Sequence, residues 1–449
     1  MQTNRLCYGL GSSEGTTSIY DLPPELLLII FDHLYRDSRS GDNQDCFSIT
    51  TNSQPPSFWF PYALAAVCDE WRALLALNSG YWTRICVCID EPSWDISTLA
   101  EEIQWSKELP IDLSVVASRN VNAVISPDVE SARVVSIMRI LPSFAHRCTA
   151  LRFDLRALPV LPLLSGTAAP SVKTLELGCQ ASRMGNLDPS IMIPFSCPKL
   201  ETLILGGPNV IIACRSGWLA SLMATNWTLY NYSPPNNERE AIEEADTILH
   251  ALSTIREDSS LTIREMNLDC SASTNTPYSI HVETLILEDL SAQTVACLLR
   301  NIDFSGGGIE SIRLSRCGLP ELASLSSCSL TLQEMPEDQD ISEFLRCWNG
   351  SHVAVVACPG FTDTSIKMLS QPFFYSLVSI FEVIECFNVS VDAVKCFVKA
   401  WSDAQYQDPA LDYEEEETKT LVLSRAETDT KAGIDAVWFD GIPLIYHIQ

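Results

Sequence analysis

The chain has 449 residues, of which 46% are apolar and 19% charged, and its formal net charge at pH 7 is −28. The apolar fraction excludes a disordered chain, and the length allows two or three domains, or one small domain followed by an elongated array. The acidic balance argues against nucleic acid and anionic membranes, both of which attract clusters of Lys and Arg. It suits a basic protein partner, although like charge that keeps a protein dispersed is the simpler explanation.

The first segment, residues 1–18, has neither the basic start nor the apolar core of a secretory signal, and we expect a disordered arm. No apolar run is long enough to span a bilayer, since Phe373–Phe381 is interrupted by Glu382 and Glu385. The 17 cysteines are scattered singly. This pattern predicts reduced thiols and a cytoplasmic or nuclear protein.

The segment Ile19–Tyr35 predicts a short helix that is apolar on almost every side. Asp21 is the expected N-cap, and Pro23 and Pro24 suit the first turn, where backbone N–H groups have no intrahelical partner. A helix of this kind must be covered on more than one side. We therefore expect one face to pack on its own domain and the other face to be offered to a partner.

A second helix is predicted over residues 61–77, followed by a turn at Asn78-Ser79-Gly80 and by Trp82. Its apolar residues recur at helical spacing. They are Leu64, Val67, Cys68, Trp71, Leu74 and Leu75.

Together these two segments resemble the F-box, and most closely the large F-box families of fungi, in which leucine-rich repeats often follow. The likeness spans roughly residues 19–86. The residues that match the pattern are Leu22-Pro23-Pro24-Glu25-Leu26, Ile30-Phe31, Leu34, Val67-Cys68, Trp71-Arg72 and Trp82. One departure is the long polar insertion 36–60, which is either a surface loop or a sign that the first two helices are placed differently.

The resemblance implies a small helical F-box domain over residues 19–88 that docks on a Skp-family adaptor and, through it, on a cullin. It assigns adaptor contacts to Leu22, Pro23, Leu26, Ile30, Leu34 and Val67. It assigns the domain core to Phe31, Cys68, Trp71 and Trp82.

Residues 89–147 predict a connector of mixed structure. Leu99–Lys107 and Val129–Leu141 have helical periodicity, and Ile111–Val116 alternates as a half-buried strand does.

From residue 148 to 449 the chain repeats short segments with apolar residues at the first, fourth and sixth positions, the strand pattern of leucine-rich repeats. They begin at Cys148, Val172, Leu200, Ile263, Val282, Ile309 and Val378, and a cysteine follows at Cys179, Cys270, Cys317 and Cys386. Two long gaps, between 205 and 263 and between 314 and 378, make the array irregular. The alternative is an ordinary α/β protein whose strands match by accident.

Towards the C-terminus, the acidic run Glu414–Glu417 predicts a solvated loop. Apolar segments return at 421–423, 437–439 and 444–446, so we expect the array to continue to a terminal cap.

Motifs for catalysis and metal binding are incomplete. Gly11–Gly15 matches a nucleophile motif but lacks the strand and helix that would expose the serine. His281-Val282-Glu283 lacks the second half of a zinc site, and Gly306–Gly308 lacks the lysine of a phosphate-binding loop. We predict no catalytic residue, no metal and no cofactor.

The predicted fold class is therefore α/β, with a small N-terminal helical F-box followed by an irregular leucine-rich-repeat solenoid. The predicted function is the substrate-recognition subunit of an SCF-type (Skp–cullin–F-box) ubiquitin ligase, which is not itself an enzyme. The alternative is a leucine-rich-repeat scaffold that no longer binds the adaptor. The unknown target protein would contact exposed strand residues such as Lys173, Glu176, Glu201, Arg264, Glu283, Glu288 and Arg313.

Overall fold

The computed structural model describes residues 19, 22–39, 60–91, 94–117, 125–181, 195–268, 278–301, 309–322, 324–370, 378–405, 420–425 and 444–448. Within these residues the protein is mixed α/β, with one long parallel sheet whose strand order follows the chain. A short strand, β11, departs from this order because it pairs with β10 alone.

The strands of the sheet are β1 (Arg84–Cys88), β2 (Ile111–Val116), β3 (Cys148–Leu155), β4 (Thr174–Cys179), β5 (Thr202–Gly206), β6 (Asn226–Tyr230), β7 (Ser260–Arg264), β8 (Thr284–Glu288), β9 (Ile309–Ser315), β10 (Leu325–Gln333), β11 (Trp348–Asn349), β12 (His352–Val356), β13 (Ile380–Ile384), β14 (Thr420–Arg425) and β15 (Leu444–Ile448). The helices are α1 (Pro24–Arg39), α2 (Tyr62–Ala65), α3 (Asp69–Ala76), α4 (Ile96–Trp105), α5 (Pro127–Ile140), α6 (Pro208–Arg215), α7 (Glu238–Leu252), α8 (Ala292–Arg300), α9 (Ile341–Arg346), α10 (Asp363–Leu369) and α11 (Val391–Gln405).

Two rows of buried side chains run along the sheet from β1 to β13, because every strand in this range except the short β11 places apolar residues at the same two alternate positions, and Leu421 of β14 continues the first row. Paired residues of the first row are Ile85, Leu113, Leu151, Leu175, Leu203, Trp227, Leu261, Leu285, Ile312, Leu330, Val353, Phe381 and Leu421. Every one of them is at most 2% exposed. The second row lies two residues further along each strand.

Helices cover this buried face of the sheet. Ile137 of α5, Ile248 of α7, Val295 of α8 and Phe397 of α11 belong to the same apolar cluster as the two rows. The alternate strand residues point to the other side, which we call the open face.

Most of the predicted strands are present. Ile111–Val116 is confirmed as β2, and strands occur at the segments that begin at Cys148, Val172, Leu200, Val282, Ile309 and Val378. The segment from Ile263 to Leu268 was placed wrongly, because the strand is Ser260–Arg264 and the chain has already left the sheet at Met266. The two long gaps contain strands that the pattern missed, β6 in the first and β10 and β12 in the second.

Each strand from β6 to β10, and likewise β12 and β13, is followed by a residue in the left-handed region, with φ between 50° and 55°. These residues are Asn231, Glu265, Asp289, Arg316, Glu334, Ala357 and Glu385. The N–H group of all but the last donates to the carbonyl at the end of the next strand, over 2.8–3.1 Å. This hydrogen bond extends the ladder by one residue while the chain turns away from the sheet.

Cysteine side chains complete the turn, as expected from the repeat pattern. Cys317 Sγ donates to the Leu287 carbonyl at 3.3 Å, and Cys386 Sγ contacts the Val355 carbonyl at 3.5 Å. Cys358, which the pattern missed, makes the same contact with Leu332 at 3.4 Å. Cys179 instead lies at the end of β4, and Cys270 is outside the described residues.

The N-terminal helices join the sheet through Tyr62. Its hydroxyl accepts the N–H of Cys86 in edge strand β1 at 2.9 Å and lies 3.4 Å from Glu102 Oε2 of α4. Burial raises the pKa of Glu102 to about 8, against a smaller opposing effect of the Tyr62 hydrogen bond. Trp82 and Trp105 pack beside this group with ring centroids 4.5 Å apart.

Several predictions fall on residues that the structure does not describe, namely the arm 1–18, the Asp21 cap, most of the insertion 36–60, and the loops at 306–308 and 414–417.

Among the described helices, none has both the length and the apolar character needed to cross a membrane. Most described cysteines are free and buried, but Cys297 is disulfide-bonded, so the expectation of reduced thiols is wrong at that residue.

Glu102 should make the stability of the protein depend on pH. The pKa of Glu102 is about 8 in the folded protein, against an ordinary value of 4.5. Its contribution to the free energy of unfolding is therefore fully present below pH 4.5 and is lost as the pH rises from 4.5 to about 8. Replacing Glu102 by Gln should therefore stabilise the protein increasingly from about pH 5 to pH 8. Chemical denaturation at several pH values measures this difference. The exposed neighbour variant Glu101→Gln is the control, and a pH-independent gain in Glu102→Gln would contradict the assignment.

Ala357 should be replaceable by glycine with a gain in stability. Its φ of 51° lies in the left-handed region, which costs an L-residue about 1–2 kcal/mol, whereas glycine adopts it freely. Glycine also has a larger conformational entropy than alanine in the unfolded chain, which offsets part of this gain. Ala357→Gly should therefore raise the free energy of unfolding by about 0.5–1 kcal/mol. Urea titration measures the change. The control Ala354→Gly, in the middle of β12, should lower it, and equal effects at both positions would refute the explanation.

Candidate functional site

The segments 22–39 and 60–82 form a helical unit with an apolar core of its own, separate from the core of the sheet. Its buried members are Leu27, Phe31, Ala65, Trp71, Leu75, Tyr81 and Trp82. Phe31 and Trp71 meet edge to face, with ring centroids 5.1 Å apart. Contacts of this kind hold α1 against α3.

Helix α1 begins at Pro24 and continues past the predicted end to Arg39. Glu25 lies in its first turn and Arg36 and Arg39 in its last, so both ends carry the charge that the helix dipole favours. Leu27 and Phe31, one turn apart, are its buried residues.

The single helix predicted over 61–77 is wrong, because the structure has two helices there, α2 and α3. Cys68 separates them with an extended backbone, φ −161° and ψ 168°. Asp69 and Glu70 then occupy the first turn of α3, where acidic residues favour a new helix start. Arg72 Nε donates to the Ala65 carbonyl at 3.3 Å and so satisfies the end of α2.

The four residues assigned to the core differ in their burial. Phe31, Trp71 and Trp82 are buried, while Cys68 is only half-buried beside the cluster. Trp82 donates its Nε1–H to the Leu75 carbonyl at 3.0 Å, which fixes the chain just beyond α3.

The residues assigned to the adaptor lie mostly on the surface. Leu26, Ile30 and Leu34 follow each other at one-turn spacing on α1 and are 46%, 37% and 42% exposed. Val67, between α2 and α3, is 42% exposed, and Pro23 is exposed as well. Leu22 differs, because it is half-buried and packs against the core of the unit.

Two further exposed apolar residues, Ile29 and Leu77, were not assigned from the sequence. They are 55% and 66% exposed and line a shallow groove of about 560 Å³ beside α1. Asp32 and Arg36 form an ion pair of 2.5 Å at the wall of the same groove. The all-round apolar character of α1 was the signal that could have identified Ile29.

Exposed apolar side chains are concentrated in this part of the chain. Of eleven large exposed apolar residues in the described part of the structure, seven precede residue 78. They are Ile19, Leu26, Ile29, Ile30, Leu34, Val67 and Leu77. Single exposed apolar residues are ordinary, but a set on one small unit is typical of a protein–protein interface.

Three of the other predicted contact residues lie on the open face of the sheet, where Arg313 is exposed and Arg264 and Glu288 are partly exposed. Lys173, Glu201 and Glu283 are exposed too, but each lies one residue before a strand. Glu176 was wrongly taken as exposed. It is 2% exposed, lies 3.7 Å from Arg152, and has a pKa raised to about 7 by burial.

The described residues contain no group of three or more His, Cys, Asp or Glu side chains that could hold a metal ion. Cys88 is an example of how the buried thiols behave, since burial and Asp90 raise its pKa to about 12. A thiol with such a pKa stays protonated near neutral pH and is a poor nucleophile. In the H-x-E segment, Val282 is buried whereas Glu283 points outwards, as strand alternation requires.

No protein-family model matches this chain, and no curated protein matches it either.

Trp71 should be essential for the stability of the helical unit. Because it is buried against Phe31, Trp71→Ala should lower the free energy of unfolding of this unit by about 3–5 kcal/mol. Thermal unfolding followed by tryptophan fluorescence measures the loss. Leu77→Ala, at an exposed position of the same unit, should change the free energy of unfolding by no more than about 0.5 kcal/mol. An unchanged midpoint for Trp71→Ala would mean that α3 packs differently.

Proposed function

We propose that this protein is the substrate-recognition subunit of an SCF-type ubiquitin ligase. In this proposal the helical unit is an F-box that docks on a Skp-family adaptor, and the sheet with its helices is a leucine-rich-repeat solenoid that binds a target protein. The observation that carries the proposal is the exposed apolar stripe Leu26, Ile30 and Leu34 on a helix whose adjoining side is anchored by Leu27 and Phe31.

The stripe supports docking because its residues do not contribute to the folded core of the unit. A partner that covers Leu26, Ile30, Leu34 and Val67 would remove apolar surface from water at about 25 cal/mol per Å². Ile29 and Leu77 would extend the same contact along the groove beside α1. Leu22 would stabilise α1 by packing against the core of the unit and would not contact the adaptor.

The repeat interpretation is supported by three features that recur from strand to strand. These are the sequential parallel order, the two in-register apolar rows, and the left-handed residue with its cysteine contact after the strand. A unit that buries its apolar face only against its neighbours is typical of solenoid repeats. The role is binding rather than catalysis, in the cytoplasm or nucleus, where ubiquitin ligases of this type work.

The alternative is a leucine-rich-repeat scaffold whose F-box does not bind the adaptor, as the insertion 36–60 suggests. The two functions differ in one measurable property, namely the affinity of the helical unit for the adaptor.

Replacing Leu26 and Ile30 by Glu should abolish adaptor binding without unfolding the protein. Both side chains are exposed, so two charges there cost little in the free chain but would have to be buried unpaired in the complex. Co-purification of the full chain with a Skp-family adaptor, followed by titration calorimetry, should give an affinity at least about tenfold weaker for this variant.

Met223→Glu is the matched control, because Met223 is an exposed apolar residue outside the helical unit. It should bind the adaptor as the parent does. A folded parent chain that ignores the adaptor would reject the ligase proposal in favour of the scaffold.

A further inference from the structure

The open face of the sheet changes character along its length. In its first part several outward side chains are buried, with Cys86, Ser114 and Glu176 at 6%, 3% and 2% exposure, while Arg152, Ile204 and Thr228 of the same row are partly exposed. Tyr230 lies across this part of the sheet, and its ring occupies the space above Gly206, where a Cβ would be 2.4 Å from Cζ. The surface above Gly206 is therefore filled by the protein's own Tyr230 side chain.

From β7 to β10 the open face is accessible. Thr262, Ile286, Arg313 and Thr331 are paired in register across the four strands, and each is at least partly exposed. Ser311 and Ser329 lie beside this row. We call these six residues the Arg313 face. Its side chains are short apart from Ile286 and Arg313, so the guanidinium stands clear of its neighbours.

Arg313 is not neutralised within the described residues, where it makes neither an ion pair nor a hydrogen bond. Arg316, three residues later on the rim, is different. It donates to both oxygens of Asp289 at 2.7 and 2.8 Å and to Glu334 at 2.9 Å. None of the six residues of the Arg313 face is acidic, although the partly exposed Glu288, two residues beyond Ile286 on β8, lies at its border.

Arg264 adds a second cation at the border of this face. Its guanidinium lies over the Tyr230 ring at 5.3 Å from the centroid, and its Nε is buried without a hydrogen-bond acceptor. The Nε lies 3.9 Å from Glu265 Oε1, which is beyond hydrogen-bond distance. Because the Arg264 Nε is buried, Arg313 is the arginine of this face whose exposed donors a bound partner could use.

A partner that covered Arg313 would remove a charged group from water. The cost of this desolvation is several kcal/mol unless the partner supplies an acceptor, and a carboxylate that accepts two guanidinium hydrogen bonds is the best one. A basic or neutral segment would leave the charge buried and unpaired. The chemistry of this face thus selects an acidic segment, although the chain as a whole would attract a basic one.

We propose that the target protein binds the Arg313 face through an extended acidic segment, with an Asp or Glu carboxylate paired to Arg313 and an apolar side chain on Ile286. This inference rests on the proposed function, since it assigns the chemistry of the target. Arginine is also among the residues that most often dominate binding energy at protein interfaces.

Binding of three fluorescein-labelled peptides to the full chain tests the proposal by fluorescence anisotropy. The peptides share a Val- and Thr-rich extended sequence and differ only in having Glu, Gln or Lys at the same positions. The Glu peptide should bind best, and its affinity should fall by at least about tenfold in Arg313→Ala. Arg313→Glu should prefer the Lys peptide. Arg346→Ala, which removes an exposed arginine at the end of α9, should behave as the parent.

Three outcomes would overturn the proposal: tighter binding of the Lys or Gln peptide by the parent, an unchanged affinity in Arg313→Ala, or no binding of any peptide. Each preparation is also titrated with the adaptor, and its fold is checked by thermal unfolding. A chain that binds the adaptor but not the Glu peptide rejects only the acidic-segment proposal. A chain that binds the Glu peptide through Arg313 but not the adaptor rejects only the ligase assignment.

Discussion

From β1 to β13, every strand except the short β11 contributes two apolar side chains, two residues apart, that pack against the same pair on the next strand. A shift of one residue between neighbours would turn the whole set towards the open face, so burial on one side fixes the register everywhere. Because Leu175, Leu203 and Trp227 already fill the buried side, the helices have one face on which to pack. The other face is then free to differ from strand to strand, and it does so between Glu176 and Arg313.

The two apolar clusters in the described residues stabilise different parts of the protein. The helical unit is stabilised by Phe31, Trp71 and Trp82, and the sheet by its rows and helices, so the side chains exposed on α1 contribute to neither. Helix α4 joins the two clusters, because Trp105 packs on Trp82 of the helical unit and Leu99 belongs to the cluster of the sheet. A surface on one part can therefore vary while the other part keeps its fold.

Periodicity predicted much of the sheet because burial on one face is a local property of the sequence. It missed β6, β10 and β12 because the position three residues before the strand's residue in the first buried row is Ala224, Ser327 or Gly350, rather than a large apolar residue. It joined α2 and α3 because the break at Cys68 depends on backbone geometry, while the apolar spacing runs through it. The burial of Glu176 and Glu102 was beyond sequence reasoning, since it depends on side chains from distant elements, such as Arg152 and Tyr62.

The position of Tyr62 has a consequence for the behaviour of the protein at high concentration. A strand at the end of a sheet presents unpaired backbone groups, and such an edge is a template on which other chains can add strands and aggregate. In β1 the Cys86 N–H is already bound by the Tyr62 hydroxyl, with α2 lying alongside. The helical unit thus closes one end of a long parallel sheet, and it would protect the molecule against polymerisation at that end even when no partner is bound.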